Sequence, residues 1–138
     1  MNSPDISDFI EDDELLARFV MFSNWIRADG SLKQDAFIPP KDLNLSVTRH
    51  HRLSDGEIWQ RGQDCASKRA KTLLGRADIS AASVREIRTP AMNVIPDPEP
   101  ENPEHCNIVG WPPDKPTQKS IAQRLAAAAA FVSLPASL

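Results

Sequence analysis

The stretch LNLSVTRHHRLSDGEIWQ, residues 43–60, decides the fold because it joins the clearest strand pattern of the chain to its clearest helix start. Apolar and polar side chains alternate over residues 43–48, which is the period of two expected of a strand with one buried face. Ser54 is followed three residues later by Glu57, which is the spacing of a capping box. The serine hydroxyl and the glutamate carboxylate of such a box each accept a backbone N–H, so we predict a helix over residues 55–69.

The predicted helix is amphipathic, with small and apolar residues on the side that faces the sheet and basic residues on the other. The inward residues are Ile58, Trp59, Gly62, Cys65 and Ala66. The outward basic residues are Arg61, Lys68 and Arg69. This pattern is typical of a helix that packs on one face of a sheet.

The segment before this stretch is dense in apolar residues and leaves both a helix and a strand open over residues 15–26. The Asp29-Gly30 pair that follows is a turn signal, so we favour a hairpin whose first arm begins near Arg18 and whose second arm is SLKQDAFIP. Pro39-Pro40 ends the second arm, because proline cannot donate to a strand ladder.

The second half of the chain adds further strands and one long helix. We predict short strands over residues 72–79 and 92–95, with a brief helical turn capped by Ser80 between them. The segment TQKSIAQRLAAAAAFV is rich in alanine and straight-chain residues, which have the highest helix propensities, and it predicts a C-terminal helix over residues 115–132. The fold class is therefore α+β: a small, mostly antiparallel sheet of four or five strands packed by a central helix and a C-terminal helix.

The charge and proline patterns divide the chain into an arm and a domain. Residues 1–14 hold six acids and no Lys or Arg, which predicts an acidic, flexible arm that either binds a partner or folds back on the basic centre. Residues 15–134 form a single domain in this prediction. Residues 96–116 hold seven of the twelve prolines, so we expect an extended, polyproline-like connection without a long regular element.

The sequence also bounds the compartment. The N-terminus lacks the basic start and apolar core of a signal peptide, and no run approaches the roughly 18 apolar residues needed to span a bilayer. We therefore expect a cytoplasmic protein without a membrane partner. Cys65 and Cys106 are expected to be free thiols, because a chain of 138 residues can build a core without disulfides. No cofactor is expected.

The junction Arg49-His50-His51-Arg52 raises the hypothesis of a catalytic site. His50 or His51 could act with His105 as acid and base on a phosphodiester, while Arg49 or Arg52 stabilises the phosphate. We predict no metal site, because adjacent histidines on a strand point to opposite faces and the chain has no CxxC or HExxH motif.

The sequence offers three surfaces for partners. Ile108, Trp111 and Pro112 interrupt the proline-rich connection and are candidates for binding a protein, because a preordered extended segment loses little entropy on docking; Trp111 is equally interpreted as a core anchor. The C-terminal helix is a candidate homo-oligomer surface. Residues 49–88 hold nine basic residues against five acids, which leaves nucleic acid as a partner class.

We therefore expect a small cytoplasmic protein-interaction or accessory module without catalytic activity of its own. One alternative is a small histidine-dependent phosphodiesterase, nuclease or transferase. The other is a nucleic-acid-binding protein. Whether the chain is an enzyme is left open at this stage, with the non-catalytic function favoured.

Overall fold

Six antiparallel strands form one sheet at the centre of the computed structural model, which describes residues 9–137. The strands are β1 (Leu15–Val20), β2 (Leu45–Arg49), β3 (Gly75–Ser80), β4 (Asn93–Pro96), β5 (His105–Val109) and β6 (Ala130–Ser133). They lie in the order β4-β5-β2-β1-β3-β6, and every neighbouring pair is antiparallel. The α+β class is confirmed, although the sheet has six strands where the sequence predicts four or five.

Three α-helices cover the two faces of this sheet. They are α1 (Asp55–Lys68), α2 (Ala81–Arg85) and α3 (Lys115–Ala128), and short 3-10 helices occupy Ser23–Trp25 and Gln34–Phe37. Two separate apolar clusters define the layers. Trp59 of α1 packs with Phe19 of β1, whereas Leu125 of α3 packs with Leu16 and Val20 of the same strand. Because side chains of a strand alternate between faces, α1 lies on one side of the sheet and α3 on the other.

The central helix forms as its sequence predicts. The Ser54 hydroxyl accepts the Glu57 N–H, and the Glu57 carboxylate accepts the Ser54 N–H, so both halves of the capping box are present. Gly62 allows α1 to approach the sheet closely, since a Cβ at this position would lie 2.8 Å from the Phe19 ring. The strand before the helix starts at Leu45, because Leu43 takes a left-handed φ of 59° in the preceding turn.

The predicted hairpin with SLKQDAFIP is reduced to a single antiparallel bridge, Ile26↔Leu32, and its second arm does not pair with β1. The Asp29-Gly30 turn does form, with Gly30 at a φ of 86° and the Ser31 N–H bound to the Asp29 carboxylate. The chain after it winds into the 3-10 helix of Gln34–Phe37 and buries Phe37 fully. Both neighbouring positions of β1 are already taken by β2 and β3, so no returning strand can pair there.

Two strands lie where the sequence predicts other structure. β5 occupies the apolar break of the proline-rich connection. None of its five residues is proline, so each keeps the backbone N–H that a strand ladder needs. α3 ends at Ala128 rather than continuing to 132, and β6 follows it by pairing with β3. Strand pairing thus overrides the high helix propensity of the alanine run.

The N-terminal segment packs against the domain over its described part. Ile10 is 1% exposed and belongs to the main core, and Asp12 forms an ion pair with Arg85. The predicted flexibility of residues 1–8 lies outside the described residues. Among the helices within residues 9–137, none is long and apolar enough to cross a membrane.

Candidate functional site

The sheet splits between its two central strands. β1 pairs with β2 only at Leu16↔Arg49 and Ala17↔Thr48. Beyond that point β1 stays paired with β3 as far as Val20, and β2 stays paired with β5 as far as Leu45. The facing edges of β1 and β2 therefore separate, and their peptide groups have no ladder partner across the gap.

A cavity of about 470 Å³ lies in this split, and we call it the β1–β2 cleft. It is bounded by the diverging strands, by the C-terminal half of α1 from Arg61 and the Arg69 that follows the helix, and by residues of the proline-rich connection from Glu99 to His105. Apolar residues line one part of it, namely Phe19, Met21, Ile38 and Pro40. Leu45 and Val47 also border it, but their side chains are buried in the core on the α3 side. Polar and charged groups line the rest, so the cleft is amphipathic.

Arg18 bridges the split from the β1 side. Its Nε donates to the Ala36 carbonyl at 2.9 Å and its Nη1 to the Ser46 carbonyl at 3.1 Å. Burial, together with the positive charge of Arg69, lowers the pKa of Arg18 to about 10. No carboxylate of residues 9–137 forms an ion pair with Arg18; its guanidinium donates to the two carbonyl groups and lies 5.6 Å from the centre of the Trp25 ring.

Two polar atoms in the wall of the β1–β2 cleft are buried without a hydrogen-bond partner, namely Arg61 Nε and Asn102 Oδ1. The other side of the Asn102 amide donates to the Thr48 hydroxyl at 2.9 Å. Buried polar atoms in folded proteins are normally paired, because leaving one unpaired costs about 1–3 kcal/mol. Two such atoms in one cavity indicate groups that a ligand can satisfy.

His105 lies on the floor of the cleft, directly across the β2–β5 pair from Thr48. Its Nδ1 is 2.8 Å from the carbonyl oxygen of Asp97, which can only accept, so Nδ1 carries the proton and Nε2 is the acceptor of the neutral ring. Carboxylate oxygens of Asp97 and Glu99 lie 3.3 Å and 3.9 Å from the same nitrogen. These three side chains could hold a metal ion, since their ligand atoms lie within 4.8 Å of one another.

An exposed ion pair joins the two walls of the cleft. Lys68 Nζ of α1 lies 2.8 Å from Glu101 Oε1 of the proline-rich connection, and both side chains are more than half exposed. The hydrogen bond between them raises the pKa of Lys68 and lowers that of Glu101. The rim therefore carries one neutralised charge pair.

The Arg-His-His-Arg junction does not lie in the cleft. Arg49 is 5% exposed and binds both carboxylate oxygens of Glu14. His50 Nε2 lies 3.0 Å from Asp78 of β3, and His51 Nδ1 lies 3.2 Å from Glu104 before β5. The junction thus connects β2 to three other segments of the domain.

Of the proposed catalytic residues, only His105 lines the cleft among the residues that the structure describes. His50 and His51 interact with different acids, and Arg52 is exposed. The catalytic role of these residues stays a prediction. No sequence pattern marks Arg18 or Arg61 as binding residues, because the split that brings them to one cavity depends on strand register.

The proposed partner-binding residues belong largely to the core. Ile108 is fully buried and Trp111 is 6% exposed, with its indole N–H bound to the Ile108 carbonyl at 3.0 Å. Pro112 is half-buried, and its carbonyl accepts a hydrogen bond from Gln118 of α3. The core-anchor interpretation of Trp111 therefore fits this structure.

The two cysteines are free thiols on opposite faces of the sheet. Cys106 is buried, and burial raises its pKa to about 12. Cys65 packs against the core cluster between α1 and the sheet, as its predicted inward position implies, and it is half-buried and also lines the β1–β2 cleft.

Comparison of the chain with protein-family models, with curated proteins and with solved structures finds no match. The function is therefore argued from the geometry of the cleft alone.

Proposed function

We propose that the chain is an accessory module that binds a small organic molecule in the β1–β2 cleft. The observation that carries this proposal is the pair of buried, unpartnered atoms Arg61 Nε and Asn102 Oδ1 in the wall of one cavity. A ligand that hydrogen-bonds to both atoms removes the cost of leaving them unpaired.

The size and lining of the cleft support the same function. Its volume of about 470 Å³ falls in the range of typical small-molecule sites, which is about 300–1,000 Å³. Such sites combine an apolar lining with a few placed polar groups. Phe19 and Met21 supply the apolar part here, and Arg18 supplies a cation without a carboxylate partner among residues 9–137.

The other functions expected from the sequence stay predictions with less support. A protein partner that docks on Trp111 and Ile108 would have to reach buried side chains. Catalysis by a histidine pair needs a second histidine beside His105, and the described lining of the cleft contains none. Nucleic-acid binding by residues 49–88 would have to proceed although Arg49 and Arg76 are buried. A cytoplasmic location is part of this proposal, because Cys65 and Cys106 are free thiols and thiols stay reduced in that compartment.

Cys65 provides a direct test, because alkylation of this thiol reports whether the cleft is occupied. A library of metabolites is screened for compounds that slow the reaction of Cys65 with iodoacetamide. We expect protection by one chemical class, and we expect Arg61→Met to weaken it while Arg124→Gln, on the outer face of α3, does not. Equal alkylation rates with every compound would contradict the proposal.

A further inference from the structure

We infer that the ligand of the β1–β2 cleft is a phosphate monoester with a polar organic part, a chemistry that nucleoside monophosphates supply. This inference rests on the proposed function and names the ligand class that the cleft selects. It depends on three features: the unpaired cations, the position of the acids, and the surroundings of Asn102.

The first feature is the charge of the cleft wall. Arg18 and Arg61 both line the cavity, and neither forms an ion pair with a carboxylate of residues 9–137. Glu57, one turn earlier on α1, interacts with the charge of Arg61 only at longer range. Two guanidinium groups without a carboxylate in direct contact match a dianion better than a single carboxylate. A phosphate monoester carries about −1.5 to −2 at pH 7, and its oxygens fit the planar fork of arginine.

The second feature is that the acids of the cleft lie at its exposed rim. Asp64, Glu99 and Glu101 are all exposed, and Glu101 is neutralised by Lys68. Arg61 Nε, in contrast, is buried. Electrostatic interactions are stronger away from water, so the inner cations dominate over the screened rim acids. An anionic group is therefore favoured at the inner end of the cleft.

The third feature concerns the organic part of the ligand. One polar atom of the Asn102 amide binds the Thr48 hydroxyl, and the other is buried without a partner. The unpaired Oδ1 can only accept, and a deprotonated phosphate has no proton to donate, so this atom requires a donor on the organic part of the ligand. The neighbouring apolar side chains of Phe19 and Met21 can pack against a ring. A nucleoside offers both a ring and hydrogen-bonding groups.

The test is titration calorimetry of the full chain with the adenosine, guanosine, cytidine and uridine monophosphates, with adenosine alone, and with inorganic phosphate alone. We expect at least one monophosphate to bind about tenfold or more tightly than either fragment, because each fragment makes only part of the contacts. Weak, equal binding of all six compounds would overturn the inference.

Variants then locate the phosphate. Arg61→Met removes the guanidinium and is expected to weaken monophosphate binding about 10- to 100-fold, while adenosine binding is unchanged. Asn102→Ala should weaken the monophosphate but leave inorganic phosphate unchanged. Arg124→Gln removes an exposed cation from the opposite face of the sheet and is the matched control. A midpoint temperature of thermal unfolding equal to that of the wild type verifies that the fold of each variant is intact.

The outcomes separate this inference from the proposed function. If a neutral or carboxylate compound protects Cys65 and Arg61→Met has no effect on it, the phosphate class is wrong while the cleft remains a binding site. If no compound of either kind protects Cys65, both are wrong. Protection by a monophosphate that is lost in Arg61→Met supports both.

Discussion

Arg49 and Glu14 form a two-point ion pair in which Nε and Nη2 each donate to one carboxylate oxygen at 2.8 Å. The side chains are 6% and 12% exposed, so the pair is largely removed from water. It ties the end of β2 to the segment that enters β1. Arg49, His50 and His51 each contact an acidic side chain of another segment, which gives this junction a structural role, while its catalytic role stays a prediction.

Replacing Glu14 by Gln is expected to destabilise the fold. The change replaces the carboxylate that binds Arg49 through two hydrogen bonds by a neutral amide, and removing one partner of a largely buried ion pair typically costs about 3 kcal/mol. Urea denaturation monitored by tryptophan fluorescence measures the free energy of unfolding. Asp12→Asn is the matched control, because Asp12 is 74% exposed in its ion pair with Arg85 and its loss should change stability little. Equal effects of the two variants would contradict the account of the junction.

The same ion pair predicts how stability depends on pH. Burial, the largest single effect, raises the pKa of Glu14, but the hydrogen bonds from Arg49 and from the Glu11 backbone N–H, together with the nearby positive charge, hold the pKa below its ordinary value of 4.5. A carboxyl group with a lowered pKa in the folded state stabilises the protein fully above the ordinary value, and this contribution is lost as the pH falls through the lowered pKa. The stability difference between wild type and Glu14→Gln should therefore shrink on acidification. A difference that stays constant from about pH 7 to about pH 3 would contradict this.

Much of the fold follows from local patterns in the sequence. The alternation before Arg49 predicts β2, and the Ser54 and Glu57 pair predicts the start of α1, because both depend on residues close in the chain. β6 could not be predicted this way, since Ala130–Ser133 becomes a strand only through its pairing with β3. The 3-10 helix at Gln34–Phe37 is likewise imposed by the strands that already flank β1.

The candidate site could be predicted only in part. Histidine can act as an acid or a base near neutral pH, which is why the sequence predicts His105 as a site residue, and His105 does line the cleft. Arg18 and Arg61 are distant in sequence and carry no motif. They meet in one cavity because β1 and β2 separate after two paired residues, and this depends on register and twist. Composition and spacing do not encode that separation.

Two glycine substitutions test the position of β6. A Cβ at Gly75 would collide with the Val132 carbonyl oxygen and lie 2.7 Å from the Phe131 ring, so Gly75→Ala should cost about 2 kcal/mol. Gly56 in the first turn of α1 has no atom within 4 Å of such a Cβ, so Gly56→Ala should stabilise by about 0.5 kcal/mol. Thermal and urea unfolding of the two variants give these values. If Gly75→Ala were as stable as Gly56→Ala, β6 would not pair with β3 as described.

The two cysteines are expected to differ in reactivity. Cys65 is half-buried in the cleft wall, whereas Cys106 is buried and has a pKa raised to about 12, so little of its thiolate forms near neutral pH. Mass spectrometry after a short iodoacetamide treatment should find one adduct, on Cys65. The unfolded chain should carry two. An adduct on Cys106 in the folded protein would show that the core around β5 is open.

The most direct test of the β1–β2 cleft as a binding site is the change in backbone amide chemical shifts on adding the tightest-binding nucleoside monophosphate. The account predicts that the shifted amides cluster in residues 18–20 and 45–48, on the facing edges of β1 and β2, and around Asn102. Amides near Arg124 on the outer face of α3 should not move. Shifts confined to α3, or no shifts in the two strands at saturating ligand, would contradict the assignment of the cleft.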